Sequence, residues 1–336
     1  MRVLLLGGTG LLGSAVAVRL AQHGHEVTAT SRGNRPSRLP KTIRLITVDR
    51  RDLEAMRSVI DEVRPDAVVD GVAYRAEDGR DDVSLFSGRV GHLVMISTDF
   101  VYKPTYQRLP IVEDAPLRAD TPYSDGKADC EEVLLGQSDL PVTVFRPPHI
   151  MGPNGPLGSG SMQARDRSLI DRIRRGAPVV LIEGGEYILQ PLHVDDAGDA
   201  IHAVLGNDRC FGKPYNLVSR TAIPTKTYYE LIARELGVEL TALSLPSSVW
   251  LDTFPDQASY MRHRVYDLSR MRIDAGWEPK IEIEDAIHRT VQALLAQGDV
   301  EPYREDPNEA AVMNALETNN EQLRGLLARW KVERQK

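Results

Sequence analysis

Between a short apolar run, Val3 to Leu6, and a helical pattern over Leu12–Gln22 stands Gly7-Gly8-Thr9-Gly10-Leu11-Leu12-Gly13. Gly8, Gly10 and Gly13 satisfy G-x-G-x-x-G, while Gly7, Gly10 and Gly13 satisfy the G-x-x-G-x-x-G spacing. Glycines at these positions let the backbone turn tightly and approach a pyrophosphate, which then rests on the N-terminus of the helix beginning near Leu11. A tight turn without a ligand is the bland alternative. The place of the motif between a strand and a helix is what gives it weight.

The same alternation continues through the first half of the chain. Runs rich in β-formers occur at Val3–Leu6, Glu26–Ala29, Arg44–Val48, Ala67–Val69, His92–Ile96 and Val142–Phe145, with helical stretches such as Leu12–Gln22 and Leu53–Val63 between them. Strands joined by helices of this length imply right-handed crossovers and a parallel sheet covered on both faces, with ligands at the carboxyl ends of the strands. After Arg146-Pro147-Pro148 the character changes. Gly152 to Ser161 is rich in Gly, Pro and Ser and reads as a mobile loop. Helical pieces (Ser168–Arg174, Asp196–Leu205, Lys226–Leu236) and short strands (Val179–Ile182, Leu240–Leu245) then suggest a smaller lobe that interleaves with the sheet and closes over a substrate. The expected fold class is α/β: a doubly wound parallel sheet (Rossmann) over residues 1–150, with returning segments near 180–220, a smaller α/β substrate lobe over 151–300, and a helical tail over 301–336. The tail carries Val312, Leu316, Leu323, Leu326, Leu327 and Trp330 at helical spacing, a pattern that suits packing on the body or on a second subunit.

Composition narrows the function. A formal charge of -7 counts against a nucleic-acid backbone binder. Cys130 and Cys210 are too few for a disulfide framework and lack metal-ligand spacing, so no metal is expected. His23-Gly24-His25 offers two imidazoles but no further partners. Glycines cut the first apolar run short, and no later run reaches about 18 apolar residues, so neither a signal peptide nor a membrane span is expected. A reducing cytoplasm is the expected location.

Tyr123 and Lys127 lie one helical turn apart, close enough for the ammonium to act on the phenol. A free phenol titrates at about 10 and is a poor base at neutral pH. A neighbouring cation favours the phenolate, as does the positive end of a helix. Thr121-Pro122 suits that helix start, with Thr121 as cap and Pro122 in the first turn. Gly126 inside the helix suggests close approach of another backbone. Thr98, just past the strand ending at Ile96, would orient a substrate oxygen while Tyr123 exchanges its proton and hydride passes to or from a nicotinamide. The alternative for Tyr123 and Lys127 alone is a surface pair. For the cofactor, the second strand ends in Thr30-Ser31-Arg32, with Arg35 and Arg38 close behind and no acid. A guanidinium there suits a 2′-phosphate, so NADP is favoured over NAD; a solvated basic loop is the competing reading. Asp49 either accepts from an adenine amino group or caps the helix near Leu53.

These residues resemble the extended short-chain dehydrogenase/reductase superfamily, within the NAD-dependent epimerase/dehydratase family. The resemblance runs through Gly7–Gly13, Asp49, Thr98, Tyr123/Lys127, Arg146-Pro147, Gly152-Pro153, His193-Val-Asp-Asp196 and Gly276-Trp277-Glu-Pro279, and covers about residues 1–295. Ser31-Arg32-Gly33, Val48-Asp-Arg50 and Val69-Asp-Gly-Val-Ala-Tyr74 look most like the bacterial relatives of the chloroplast stem-loop-binding proteins. The resemblance implies cofactor contacts from Gly7, Gly10, Leu11, Leu12, Gly13, Ser31, Arg32, Asp49, Arg50, Ala73, Lys127 and Pro147, an NAD(P) cofactor, a nucleotide-sugar substrate and homodimers. It also suggests Asp99, His149 and Gln190 as substrate contacts, although Asp99 equally suits a hydrogen bond to its own loop and His149 a packed loop position. Two departures stand out. Phe100 replaces the glutamate that the 4,6-dehydratases use as a base, which counts against 4,6-dehydration. Ser124-Asp125-Gly126 differs from the usual residues between Tyr and Lys.

His193 with Asp195-Asp196 reads mainly as a strand-to-helix junction capped by an Asp. The arginines at 165, 167, 172, 174 and 175, and Arg262 with Arg264, could clamp a diphosphate or simply form solvated faces. The leading expectation is an NAD(P)-dependent oxidoreductase or epimerase acting on a hydroxyl or keto group of a nucleotide sugar or similar polar glycoside. The competing one is a non-catalytic, cofactor-sensing or RNA-binding protein on the same scaffold.

Overall fold

Side chains alternate across a strand, and β1 (Arg2–Leu6) feeds both faces of the sheet: Val3 and Leu5 enter one apolar cluster, Leu4 and Leu6 another. Burying each of these leucines contributes about 1.5–3 kcal/mol. In this computed structural model the described residues are 1–34, 37–106, 108–118, 121–153, 155–160 and 162–333, with side chains described as far as 327.

The central sheet continues with β2 (Glu26–Ser31), β3 (Arg44–Thr47), β4 (Ala67–Asp70), β5 (His92–Ile96), β6 (Val142–Arg146) and a last strand, Lys213–Asn216. Its seven strands run β3-β2-β1-β4-β5-β6 and then Lys213–Asn216, all parallel. Strand order therefore reverses direction at β1 and β4, where Leu6 lies level with both Thr30 and Asp70. The first face is covered by α1 (Leu11–Gln22) and the helix Val194–Val204, and the second by α2 (Leu53–Val63), α3 (Ala76–Phe86) and α4 (Pro122–Leu135). This is the doubly wound α/β class expected from the alternation of elements.

The chain divides into two compact units, one of Met1–Asn154, Leu189–Ala222 and Arg264–Ala286, the other of Gly155–Ile188, Ile223–His263 and Ile287–Lys336. The return of Arg264–Ala286 to the first unit is a feature that the sequence pattern does not announce. Met271 and Trp277 from it join the core beside α1. In the second unit, Val179–Ile182 pairs in parallel with Ala242–Leu245. The expected mobile loop is tied down where it enters this unit: the Gly158 and Ser159 amides donate to the hydroxyls of buried Tyr228 and Tyr229 at 3.2 and 3.0 Å. Arg172 is neither solvated nor available to a diphosphate. It is buried, paired with Glu309 at 2.9 Å, and so anchors the start of the helix Pro307–Glu333. Met313 packs among Val180, Ile182 and Leu245, while Leu323, Leu326 and Leu327 are exposed. The side chain of Trp330 lies outside the described residues.

Two caps differ from expectation. The helix Val194–Val204 is capped by the His193 ring, whose Nδ1 accepts from the Asp195 amide at 3.2 Å, rather than by an Asp. Asp196 instead accepts from the Lys280 and Ile281 amides at 3.0 Å each. Likewise α2 is capped by Asp52, which accepts from Ala55 N at 3.0 Å, and not by Asp49.

Candidate active site

A groove of about 430 Å³ opens at the carboxyl ends of β1 to β5, a volume in the range of small-molecule sites. Its lining includes Gly7, Gly10, Leu12, Gly13, Ser31, Arg32, Asp49, Arg50, Tyr74 and Ile96. Gly7 has φ +91°, a conformation that disfavours any side chain, and a Cβ on Gly13 would stand 2.2 Å from the Gly7 carbonyl oxygen. Gly10 is different: a Cβ there would meet nothing closer than that oxygen at 3.9 Å, so the space beside it is open toward the groove. Gly10 is also the N-cap of α1, has no side chain to offer, and no acid follows in the first turn. The helix therefore presents unsatisfied N–H groups and a positive end to that space. These features fit a dinucleotide pyrophosphate.

Of the expected cofactor residues, Leu11, Ala73, Lys127 and Pro147 are not among those lining the groove. Ala73 is fully buried in the second apolar cluster, and the Pro147 carbonyl accepts from the Asp99 amide at 2.9 Å. Arg35 lies outside the described residues. Ser31 turns its hydroxyl toward the Gly33 amide at 3.2 Å, and Asp49 accepts from the Arg51 amide at 3.0 Å.

Arg50 reaches the groove wall, but its charge is committed beneath it. The guanidinium donates to Asp70 at 2.6 Å, to Asp82 at 2.8 Å and to the Asp78 carbonyl at 2.9 Å. Asp82 is fully buried, and that burial, followed by the charge of Asp70, pushes its carboxyl well above the usual range. The network organises the loop after β4: Asp70 accepts from Val72 N at 2.6 Å, and Asp78 from Tyr74 N and Arg75 N at 2.7 and 3.0 Å. Sequence reasoning missed α3 for the same reason. Its buried positions include Asp78, Gly79 and Asp82, where an amphipathic helix would carry apolar residues.

Thr121 caps α4 through a 3.2 Å bond from Ser124 N, and Pro122 occupies its first turn, as expected. A Cβ on Gly126 would lie 2.5 Å from the Tyr74 carbonyl oxygen, so glycine lets the helix lie directly on that loop. Lys127 is buried, with its ammonium donating to the Ile96 carbonyl at 2.7 Å and standing 4.4 Å from the Tyr74 ring centroid. Burial lowers its pKa to about 8 against the opposing charge of Asp70. Tyr123 is 47% exposed, and its ring centroid is 6.4 Å from that of Tyr74. Both residues of the Tyr–Lys pair thus meet the same aromatic ring. Farther along α4, Glu131 receives Arg146 from the end of β6 at 2.6 Å, a buried pair that ties the helix to the sheet.

Thr98 follows the strand whose Ile96 carbonyl takes the ammonium. It is largely buried, accepts from Phe100 N at 3.3 Å and donates to Asp99 at 3.5 Å. The Asp99 carboxylate accepts from Tyr266 Oη at 2.6 Å, and Arg264 stands 3.6 Å away. Gln190 is buried with its amide spent on the Ser219 carbonyl and the Tyr266 amide, at 2.7 and 2.8 Å. His149 is also buried. Two residues of the site carry no local signal in the sequence: Tyr74, at the end of the motif from Val69, and Tyr266, which lies 167 residues from its partner Asp99. Among the described residues no group of His, Cys, Asp or Glu is arranged to hold a metal ion, and no helix is long and apolar enough to cross a membrane.

The model of the NAD dependent epimerase/dehydratase family matches residues 3–84 and 80–217. The chain belongs to this family. It is accordingly an enzyme with an NAD-type cofactor, of the epimerase and reductase kind. A 3-diazoavenalumate denitrifying reductase of Streptomyces sp is 33% identical over 230 residues, covering 61% of this chain and 72% of the relative. The 2'-dehydrokanamycin reductase of Streptomyces kanamyceticus is 27% identical over 278 residues, 80% of this chain and 77% of that one. Among solved structures, UDP-glucose 4-epimerase of Thermotoga maritima superposes with a TM-score of 0.73 at 20% identity, over 88% of this chain and 99% of its own. WbmG of Bordetella bronchiseptica, in complex with NAD and UDP, gives 0.74 at 20% identity over 90% and 96%. At such identity these structures bear on the fold alone.

Proposed function

We propose that this family member moves a hydride between a nicotinamide and a carbinol or keto carbon of a nucleotide sugar or similar polar glycoside, with Tyr123 as acid/base. The observation that carries the proposal is the meeting of Tyr123 and Lys127 on Tyr74, beside a glycine-lined groove and next to the strand end that bears Thr98. A bound nicotinamide supplies the hydride acceptor or donor. Tyr123 takes the hydroxyl proton in the oxidative direction and returns it in the reductive one. The Lys127 cation favours the phenolate and offers donors to the nicotinamide ribose. Thr98 orients the substrate oxygen beside Asp99, whose carboxylate accepts from Tyr266. Similarity to a 2'-dehydrokanamycin reductase and to UDP-arabinose 4-epimerase 1 of Arabidopsis thaliana supports a glycosidic substrate.

For the cofactor we favour NADP. Ser31 and Arg32 line the groove at the end of β2, where an NAD site would offer an acid. Arg32→Ala should weaken NADPH binding by about tenfold or more, the value of one charge-assisted contact, and leave NADH nearly unmoved. Tighter NADH than NADPH binding by the unaltered enzyme would overturn this preference. The wider proposal is tested by nicotinamide absorbance across nucleotide sugars and keto-glycosides, with product configuration read by NMR. A reductase changes absorbance in proportion to product. An epimerase inverts a carbinol centre with no net absorbance change. Cofactor binding with neither outcome on any such substrate contradicts it.

A further inference from the structure

The Lys127 ammonium has lost its water: it is 2% exposed. A buried ammonium needs its charge balanced and its donors used. Ile96 supplies one carbonyl at 2.7 Å, and the face of Tyr74 stands 4.4 Å from the nitrogen, within cation–π range. The other groups that bear on it electrostatically are Asp70 from β4, Asp78 from α3, and Cys130 and Glu131 from its own helix. Asp70 is shared with Arg50 at 2.6 Å, which dilutes its attraction for the lysine. Burial raises the Tyr74 hydroxyl above its ordinary pKa, as do the charges of Asp70 and Asp78, with Arg32 opposing them. The backbone that carries the ring is held by the Tyr74 N–H bonded to Asp78, and its carbonyl lies close over Gly126. Tyr74 is nevertheless 46% exposed and lines the groove.

We infer that Tyr74 is a positioning residue for this chemistry: its ring face keeps the Lys127 ammonium charged and in place beside Tyr123. The inference rests on the Tyr123–Lys127 reading above. It assigns to the loop after β4 a role in catalysis, and to the Arg50–Asp70–Asp82 network the task of holding that loop rather than of touching the cofactor.

The test is the titration of Lys127 in the full-length protein without cofactor, followed by NMR of lysines labelled at Cε, with the resonance assigned by its loss in Lys127→Arg. Tyr74→Phe keeps the ring and should leave the titration where it is in the unaltered protein. Tyr74→Leu removes the ring and should lower it by roughly 0.4–1.5 pH units, the range of a partly desolvated cation–π contact. No movement in Tyr74→Leu, or an upward one showing that the ring only excludes water, overturns the inference. Should Tyr74→Leu fail to fold, Tyr74→Met gives an apolar cover of similar reach and is read the same way. A lysine that shifts as expected while Tyr123→Phe retains turnover upholds the positioning and removes the tyrosine mechanism. A lysine that stays put while Tyr123→Phe loses turnover removes only the inference.

Discussion

The two ends of the groove are built from different materials. The end beside α1 is made of backbone: Gly7 at positive φ, Gly13 against the Gly7 carbonyl, and an uncapped helix start at Gly10. The end beside α4 is made of side chains propped on buried charge, with Lys127 under Tyr74, Tyr74 on a loop held by Asp70 and Asp78, and those acids held by Arg50. The first depends on the absence of atoms. The second depends on several charges that are stable in the interior only while all are paired. Backbone geometry leaves a local trace in sequence, whereas the charge network brings together residues from β4, α3, α4 and the turn after β3.

Substitutions separate the two ends. Gly13→Val should break the backbone end outright, because its Cβ would stand 2.2 Å from the Gly7 oxygen. Cofactor affinity, read by nicotinamide fluorescence titration, should fall by about 100-fold or more, the loss of two charge-assisted contacts. Unchanged affinity would mean that the turn does not carry the pyrophosphate. An effect of middle size is expected at the junction, where side-chain machinery rests on a backbone. Gly126→Ala would favour an isolated helix by about 1 kcal/mol, yet its Cβ would lie 2.5 Å from the Tyr74 oxygen. The clash should prevail with a net loss of about 1–3 kcal/mol in denaturant unfolding. A net gain would show that α4 does not lie on the loop as described.

The smallest effect at neutral pH, and the one that locates charge outside both ends, concerns His92 at the start of β5. Its ring is buried between Thr143 Oγ1 at 2.9 Å and the Gly206 amide at 3.3 Å, and burial lowers its pKa from 6.5 to about 4. Between these values the unfolded chain binds more protons than the folded one, so stability falls as pH falls through that window. The loss amounts to about 3 kcal/mol at most for a shift of this size. His92→Asn should flatten that part of the stability–pH curve, measured by urea unfolding, and an unaltered slope would assign the acid sensitivity elsewhere.

Legibility in the sequence follows the same division. The strands from Val3, His92 and Val142, the cap at Thr121 and the glycine at 126 are readable because each leaves a signal within a few residues, even where, as at Gly126, the partner Tyr74 is distant in the chain. α3 is not, because Asp78 and Asp82 occupy its buried face to serve Arg50. Arg50 itself could be placed near the cofactor from its motif, but nothing local revealed that its guanidinium is spent on three acids. The His193 cap was missed because an Asp is the commoner N-cap and two stand beside it. The Tyr266 hydroxyl on Asp99 joins residues far apart in the chain, where single-sequence pattern has no reach.

Tyr123 is proposed to exchange the proton while the glycine end holds the cofactor. Tyr123→Phe tests this proposal most directly, with turnover on the best substrate and NADPH affinity measured on the same preparation. Turnover should fall by about 10²–10⁴-fold, the usual worth of general acid–base catalysis, with affinity unchanged within about twofold. Turnover retained at the level of the unaltered enzyme would contradict it.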